Sequence, residues 1–402
     1  MKKILFLGAS HHQVPSIKYA LNAGYWVLTS DNIEQNPGHK LAHKSFNIST
    51  LEKEKLLHIA KKEKINGILA PGSDLSMLTC SYIANKLRLP SNSYACIKSL
   101  VYKSKFRKLL SQNNLQNIDF KKFDYKNDKG IEKFLKKNEK RYIVKPIDSN
   151  GSKGISVLNL NKNFKEKIEN AFNVSNTKQI IIEEYLSKKK PQVCGDGYYQ
   201  DGKIIFIYFG NGHFYNNKNF MAPWGETFPS SHNKEILDIA KNKLELVLQL
   251  SGFSRGPFNF DLIITKDNKV FILEIGPRSG GNFIPTVIKK QTGVDMIGAE
   301  VEASINKEFR FKPKVTKKNQ FFGSYILHSR QYSGKFNKIS FLNNINNYIE
   351  QITLYKKRGH LIEPFSSADK AIGNIIIKTK TIKKMRSLFD NGLHDYFKIH
   401  IF

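Results

Sequence analysis

Two acidic residues stand out because a cation between them would explain both. Asp261 and Glu274 lie in apolar runs on either side of the turn-forming pair Asp267-Asn268. Two such runs flanking an Asp-Asn turn predict a β-hairpin. In a hairpin whose turn is centred on that pair, residues that face each other across the two strands have numbers that add up to 535. This holds for a loop of two residues and for a loop of four. Asp261 and Glu274 meet this condition.

This pairing predicts a metal site. Directly opposed residues on one face of a sheet have Cβ atoms about 5 Å apart, where like charges are destabilising. A cation between the two carboxylates would remove the repulsion. Two carboxylates, with water or phosphate as the other ligands, suit Mg²⁺ better than Zn²⁺. The alternative is a solvated sheet face that carries two acids by chance.

The second candidate is a lysine followed by a glycine-rich loop. Lys145 ends an apolar strand over 141–147, and the loop 148–154 reads DSNGSKG. A lysine in such a strand needs an anionic partner, and a loop of this composition can offer backbone N–H groups to a phosphate. It is not a Walker A loop, because no Gly-Lys-Ser/Thr sequence opens a helix here. An ordinary hairpin turn is the alternative.

Two further segments have residue types that suit a nucleotide site. Arg278 lies four residues beyond Glu274 among glycines, within reach of an oxyanion near the metal. A surface turn with a solvated arginine is the alternative. Residues 180–186 form an apolar strand that becomes polar at Glu183-Glu184. Such a strand end can present backbone groups to a purine edge, although the pattern alone is only a strand end.

The surrounding elements predict an α/β protein. Short apolar runs alternate with helical stretches over residues 1–97, which indicates a doubly wound parallel sheet. Its first turn lacks the GxGxxG pattern of dinucleotide-binding folds. A lysine-rich helix is predicted over about 99–112, and a long antiparallel section follows, interrupted by a helix around 234–251. Residues after about 308 alternate again in the manner of strands and predict a small β-rich domain.

Composition limits the function classes. The 402 residues carry 65 Lys+Arg against 34 Asp+Glu, a formal charge of +31. Such a field attracts nucleic acid, anionic membranes or acidic small molecules. Only nine of the basic residues are arginine, whereas base and phosphate recognition favours arginine, so a general lysine bias explains the charge as well. Three separated cysteines indicate neither a disulfide framework nor a zinc site. No apolar run is long enough to span a membrane. A cytoplasmic protein is therefore expected.

In order along the chain, these segments resemble the ATP-grasp superfamily, particularly its carboxylate–amine ligase and carbamoyl-phosphate-synthase-like branch. The resemblance covers nearly the whole sequence. It rests on SKFRKLLSQNNL, IVKPIDSNGSKGISVL, IIIEEYL and GPFNFDLIITKDNKVFILEIGPRSGGN, with an N-terminal part opening LFLGASHHQVPSIKYALNAGYWVLTSD and a C-terminal part IEPFSSADKAIGNIIIKTKT. Each motif is weak alone, but several in the family's order are specific.

The resemblance implies three domains and a nucleotide site. The domains are an N-terminal α/β domain (1–97), an ATP-grasp domain (98–307) with a lid subdomain (about 115–187), and a C-terminal β-rich domain (308–402). The implied ATP ligands are Lys105 and Lys145 on the phosphates, Ser149, Gly151, Ser152 and Gly154 in the mobile loop, and Glu183, Glu184 and Leu186 at the adenine, largely through backbone. Asp261 and Glu274 would hold Mg²⁺ (or Mn²⁺), and Arg278 would steady an acyl-phosphate.

The implied reaction is ATP-dependent phosphorylation of a carboxylate, followed by attack of an amine and release of ADP and phosphate. The expected partners are a small-molecule carboxylate and amine, with neither a specific nucleic acid nor a membrane, and a homodimer is left open. The acceptor candidates are His213, Tyr215, Trp224 and Arg255. A basic protein that binds nucleic acid or a membrane surface, and an inactive ATP-binding protein of the same fold, are the alternatives.

One departure from the family pattern concerns the metal. The family commonly has asparagine two residues after its last acid, and this chain has Gly276. Asn259 is opposite Gly276 in the predicted register, so it is a candidate substitute ligand. There are two other possibilities. Asn282 or a water molecule occupies that ligand position, or one of the two usual Mg²⁺ ions is bound more weakly.

Overall fold

The structure is a computed structural model, which describes residues 1–124, 128–137, 140–159, 164–189, 191–215, 221–311, 319–342 and 344–402. The mixed α/β fold agrees with the predicted class. Within the described residues, no helix is both long enough and apolar enough to cross a membrane.

The N-terminal region is a parallel sheet with helices on both faces, as predicted. Its strand order is β3-β2-β1-β4. The central strand is buried on both faces, which explains its uninterrupted apolar run. The strands are β1 (Lys3–Leu7), β2 (Trp26–Ser30), β3 (Lys44–Phe46) and β4 (Gly67–Leu69), and the helices are α1 (Val14–Asn22), α2 (Pro37–Leu41), α3 (Lys53–Glu63), α4 (Asp74–Leu87), α5 (Tyr94–Val101) and α6 (Lys103–Gln112).

The predicted helix over about 99–112 is in fact two helices. Helix α5 ends at Val101, and the next residue, Tyr102, has an extended conformation (φ −77°, ψ 111°) before α6 begins at Lys103. Because of this break, Lys103 lies at the N-terminus of a separate helix.

Residues 120–184 contain a separate antiparallel sheet with two helices. Its order is β5-β8-β6-β7. The elements are β5 (Phe120–Asp124), α7 (Asp128–Lys136), β6 (Tyr142–Pro146), β7 (Ser156–Val157), α8 (Phe164–Val174) and β8 (Gln179–Glu184). Apolar residues of α7 and α8 pack on one face of this sheet, which leaves the glycine-rich loop between β6 and β7 at its edge.

The largest sheet has eight strands in the order β13-β12-β9-β10-β11-β14-β18-β16. Helix α9 packs on one face through the core that contains Phe258 and Phe260. Elements up to residue 303 are β9 (Gln192–Gln200), β10 (Lys203–His213), β11 (Gly225–Thr227), α9 (Lys234–Leu250), β12 (Arg255–Ile264), β13 (Val270–Gly276), α10 (Ile284–Thr292) and α11 (Met296–Ala303).

The last part of the chain extends this same sheet. Strand β14 pairs with β11, so β14, β18 and β16 continue the sheet beyond the predicted boundary at 308. Among the described residues of this part, β17, β15 and β19 form a small sheet of their own. The elements are β14 (Phe321–Leu327), β15 (Gly334–Phe341), β16 (Ile349–Leu354), β17 (Leu361–Ile362), β18 (Gly373–Thr379), α12 (Ile382–Asp390) and β19 (Phe397–Ile401), with 3-10 turns at Ile345–Tyr348, Ala368–Lys370 and Leu393–Tyr396.

Candidate functional site

The hairpin pairs the two acids as predicted. Asp261 is opposite Glu274, and Asn259 is opposite Gly276. The route to this register differs from the prediction, because Ile264 pairs with Val270 across a five-residue loop. A bulge that leaves Leu273 as an extra residue restores the pairing at the acids. Without this bulge the two carboxylates would not be opposite each other.

The environment of the two acids suits a divalent cation. Burial raises the pKa of Asp261 to about 7, and the charge of Glu274 adds to the rise. Gln192 Nε2 donates a hydrogen bond of 3.1 Å to Asp261 Oδ1, and this bond only partly opposes the rise in the pKa of Asp261. In the described part of the chain, no cluster of three His, Cys, Asp or Glu side chains could hold a metal. The two acids fit Mg²⁺ only with water or phosphate oxygens as the other ligands.

A cavity of about 600 Å³ lies beside the acids. Its charged end holds Asp261 and Glu274 together with lysines from two other elements. Residues from β9, β10 and the C-terminal helix α12 form the opposite wall. The residues that matter below are Lys103, Lys145, Ser152, Tyr185, Lys188, Leu273, His213, Tyr215, Trp224 and Phe389.

The geometry favours Lys103 over Lys105, the predicted residue, as the first nucleotide lysine. Lys105 lies on the exposed side of α6, whereas Lys103, the first residue of that helix, lines the cavity. Lys103 Nζ donates a hydrogen bond of 2.6 Å to the Ser149 carbonyl. Burial lowers the pKa of Lys103, and the nearby Glu274 carboxylate opposes that shift. Residues two apart on a helix point in different directions, so only one of the two lysines can face the cavity.

The glycine-rich loop is held on both sides. Gly151 (φ +62°) and Gly154 (φ +69°) have backbone conformations that favour glycine. Ser152, the loop residue that lines the cavity, donates to the Met221 carbonyl at 3.2 Å. Ser149 lines a small adjoining pocket with Lys103 and Glu274.

The C-terminal region also contacts this loop. The Ala368 backbone N–H donates to the Gly151 carbonyl at 3.0 Å. Lys153 Nζ is 3.5 Å from Asp369 Oδ2. The loop is therefore held by Lys103 and the Met221 carbonyl on one side and by the turn that precedes β18 on the other.

Lys145 takes part in a buried ion network that the sequence reading missed. Its ammonium donates to Glu183, and Arg107 Nε donates to the same carboxylate at 2.7 Å. Burial raises the pKa of Glu183, but the charges of Arg107 and Lys145 lower it by more, to about 2. Arg107 also donates to the Leu273 carbonyl at 2.8 Å. One arginine therefore links the lysine strand to the bulge beside Glu274.

The side chains of both glutamates at the end of β8 are paired with basic residues. The Glu183 carboxylate forms ion pairs with Arg107 and Lys145, and the Glu184 carboxylate pairs with Lys140 at 2.8 Å. At this strand end the cavity wall is formed by Tyr185 and Lys188. Adenine contact by the backbone of Glu183, Glu184 and Leu186 stays a prediction.

Two predicted residues lie beside the cavity rather than in its wall. Arg278 is buried, and its Nη2 donates to Asp74 Oδ2 at 2.7 Å. Asn259 Nδ2 donates to Asp196 Oδ1 at 2.8 Å and to the Gly195 carbonyl. These bonds use the amide nitrogen of Asn259, and its role as a metal ligand through the carbonyl oxygen stays a prediction.

Three of the four acceptor candidates line the cavity. His213, Tyr215 and Trp224 do so, and burial lowers the pKa of His213 to about 3, so its imidazole is neutral. Arg255 is elsewhere and donates to the Tyr198 hydroxyl at 3.4 Å.

Comparisons with known proteins agree with this geometry. Residues 139–287 match the family model of the ATP-grasp domain. The formate-dependent phosphoribosylglycinamide formyltransferase of Wolinella succinogenes is 24% identical over 292 residues, which cover 71% of this chain and 72% of that one. A carbamoyl phosphate synthase large chain from Thermoanaerobacter pseudethanolicus is 24% identical over 265 residues, 64% of this chain but only 23% of that longer protein.

The fold comparison covers the complete chain. An L-amino acid ligase from Bacillus licheniformis superposes with a TM-score of 0.83 and 18% identity, over 100% of this chain and 99% of that one. The chain contains a match to the ATP-grasp domain, in agreement with the resemblance of its motifs to the ATP-grasp superfamily. Its similarity is to the carboxylate–amine ligases of that superfamily.

Proposed function

We propose that this protein uses Mg²⁺-ATP to phosphorylate a small carboxylate and joins the resulting acyl group to an amine, releasing ADP and phosphate. The observation that carries this proposal is the convergence of Asp261, Glu274, Lys103 and Lys145 on one cavity within an ATP-grasp fold. Phosphoryl transfer of this kind requires neutralisation of developing negative charge. The two lysines would supply it directly and the two acids through a bound Mg²⁺, from four different elements (α6, β6, β12 and β13).

Each residue has a distinct task in this scheme. Asp261 and Glu274 hold the Mg²⁺, which supplies Lewis-acid stabilisation of phosphate oxygens when bound. Lys103 and Lys145 donate to the outer phosphates. Ser152 and its neighbouring glycines cover the phosphates with backbone N–H groups.

Arg278 stabilises the acyl-phosphate from the side of β13. It lies just beyond the acid hairpin, and it is one of only two arginines among the buried polar residues of the described chain. A guanidinium can hold two oxygens of a planar or tetrahedral anion at once.

The amine and carboxylate substrates are small molecules that bind on the side of the cavity lined by His213, Tyr215 and Trp224. The relatives differ in what they join, as their names state: one is a formyltransferase and another an L-amino acid ligase. That difference supports the shared chemistry rather than one substrate pair for this chain.

A phosphate-release screen tests the proposal. The purified chain is incubated with Mg²⁺-ATP and pairs drawn from carboxylates and amines, and release that requires both members of a pair is the expected result. Glu274→Gln should abolish this release. Glu235→Gln, an exposed acid on α9, is the matched control and should retain it. Release that continues unchanged in Glu274→Gln would overturn the site assignment.

A further inference from the structure

The glycine at position 276, where the family commonly has a metal-binding asparagine, has a structural explanation in this chain. A Cβ atom built on Gly276 would lie 2.6 Å from Asp74 Oδ1 and 2.9 Å from Arg278 Cζ. Real Cβ atoms do not approach so closely. The space that a side chain at 276 would fill is therefore occupied by the Asp74–Arg278 ion pair.

Asp74 reaches this point from a different part of the fold. It is the first residue of α4, directly after β4, at the carboxyl end of the parallel sheet. Ligand sites of such sheets lie beyond that edge. Its carboxylate crosses to the large sheet and accepts a 2.7 Å hydrogen bond from Arg278 Nη2. Asp74 Oδ1 is buried without a hydrogen-bond partner among the described residues.

The pair also borders the phosphate-binding end of the cavity. Asp74 and Gly276 line the small pocket that contains Lys103, Ser149 and Glu274. Burial alone would lower the pKa of Arg278, but the charges of Asp74, Asp196 and Glu274 raise it overall. The guanidinium is thus a fixed cation, and Asp74 makes its shortest side-chain contact.

We propose that Asp74 is the positioning residue for Arg278, and that glycine at 276 makes room for it. In this arrangement the N-terminal region completes the acyl-phosphate site, in place of a side chain from β13. The inference rests on the proposed function for the role of Arg278. The steric relation between Asp74 and position 276 stands independently of that role.

Phosphate binding tests the positioning role without any unidentified substrate. Inorganic phosphate is titrated by calorimetry into the protein saturated with Mg²⁺-ADP. Asp74→Asn should weaken phosphate binding about tenfold, the size expected for a misplaced charge-assisted hydrogen bond, while the affinity for Mg²⁺-ADP stays within about twofold. Arg278→Lys is the matched control and should lose phosphate to a similar extent.

The two failures are distinguishable in this experiment. Absence of Mg²⁺-ADP binding in the wild type would contradict the proposed function. Normal nucleotide binding with phosphate affinity unchanged or increased in Asp74→Asn would overturn the positioning role, because Asp74 would then be neutral or would compete for Arg278. A purely structural role would lower the melting temperature without this selective loss of phosphate.

A stability cycle tests the steric part and needs no ligand. Gly276→Ala is compared in the wild type and in an Asp74→Ala background. The substitution should lower the melting temperature clearly in the wild type and less in that background, since the closest contact is gone. Gly281→Ala, in the same loop with no atom within 4 Å of the added Cβ, should have little effect in either. An equal loss for Gly276→Ala in both backgrounds would overturn the inference.

Discussion

Two buried charge clusters border the cavity, and they are balanced in opposite ways. On the lid side, the Glu183 carboxylate is matched by Arg107 and Lys145, and its pKa is lowered to about 2. On the sheet side, burial raises the pKa of Asp261 to about 7 and that of Glu226 to about 8. The lid cluster already has its cations, while burial favours the protonated forms of the sheet carboxylates, which a bound cation would convert to their charged forms.

This difference indicates which half of the site is preformed. A buried ion pair with further hydrogen bonds keeps its geometry without a ligand. Opposed carboxylates repel each other until a metal is bound. We therefore expect nucleotide and Mg²⁺ to reorganise the sheet side far more than the network around Arg107.

The largest effect should follow from breaking the balanced cluster. Arg107→Met leaves the buried Glu183 with one cation and removes donors from two carbonyls of β13, so we expect a loss of about 3–5 kcal/mol in unfolding free energy. Arg107→Met/Glu183→Leu should lose less, because an apolar pair leaves no uncompensated carboxylate. Denaturant unfolding measures both, with the exposed Arg310→Met as control. A double variant less stable than Arg107→Met would show that Glu183 is not balanced by Arg107.

A smaller effect should separate the two lysines at the start of α6. Lys103→Met removes a cation that lies between the clusters, so we expect ATP affinity to fall about tenfold. Lys105→Met changes an exposed residue and should alter that affinity by less than about twofold. Calorimetric titration of Mg²⁺-ATP distinguishes them. A larger loss for Lys105→Met would restore the original sequence assignment.

The smallest expected effect is on the pH dependence of folding stability, measured without ligands and caused by Glu226 on the sheet side. Glu226 is protonated more readily when folded than when unfolded, so its contribution to stability is lost as pH rises towards about 8. His12, His213 and His328, whose pKa values burial lowers to about 4, 3 and 4, act oppositely, but only below about pH 6.5.

Comparison with a single variant isolates the glutamate. Between about pH 6.5 and 8 the wild type should lose about 1 kcal/mol more stability than Glu226→Gln. Melting temperatures without Mg²⁺ or nucleotide provide the measurement. Parallel curves for the two proteins would mean that Glu226 is not held protonated by burial.

The features that could be predicted from sequence are those set by local pattern. Apolar runs on both sides of an Asp-Asn turn predicted that Asp261 and Glu274 are opposite each other, although the bulge at Leu273 that restores this register was not predicted. Short buried runs between helices sufficed for the parallel sheet of residues 1–97. In both cases the relevant neighbours are close in sequence or follow from strand periodicity.

The features that were missed depend on distant partners or on a local break. The extended conformation at Tyr102, which divides the predicted helix into two, gives no clear signal in a lysine-rich helical stretch. The ion pair of the Glu183 side chain was missed because its partner Arg107 is 76 residues away. The scarcity of arginine was the available signal, since two of nine arginines are buried and paired.

The most direct test of the account is whether Mg²⁺ controls nucleotide binding through the acid hairpin. ADP is titrated calorimetrically into the wild type and into Glu274→Gln, with and without Mg²⁺, and Glu235→Gln serves as control. We predict that Mg²⁺ tightens ADP binding about tenfold in the wild type and the control, and has no effect in Glu274→Gln. Equal tightening by Mg²⁺ in all three proteins would contradict the proposal that Asp261 and Glu274 hold the metal.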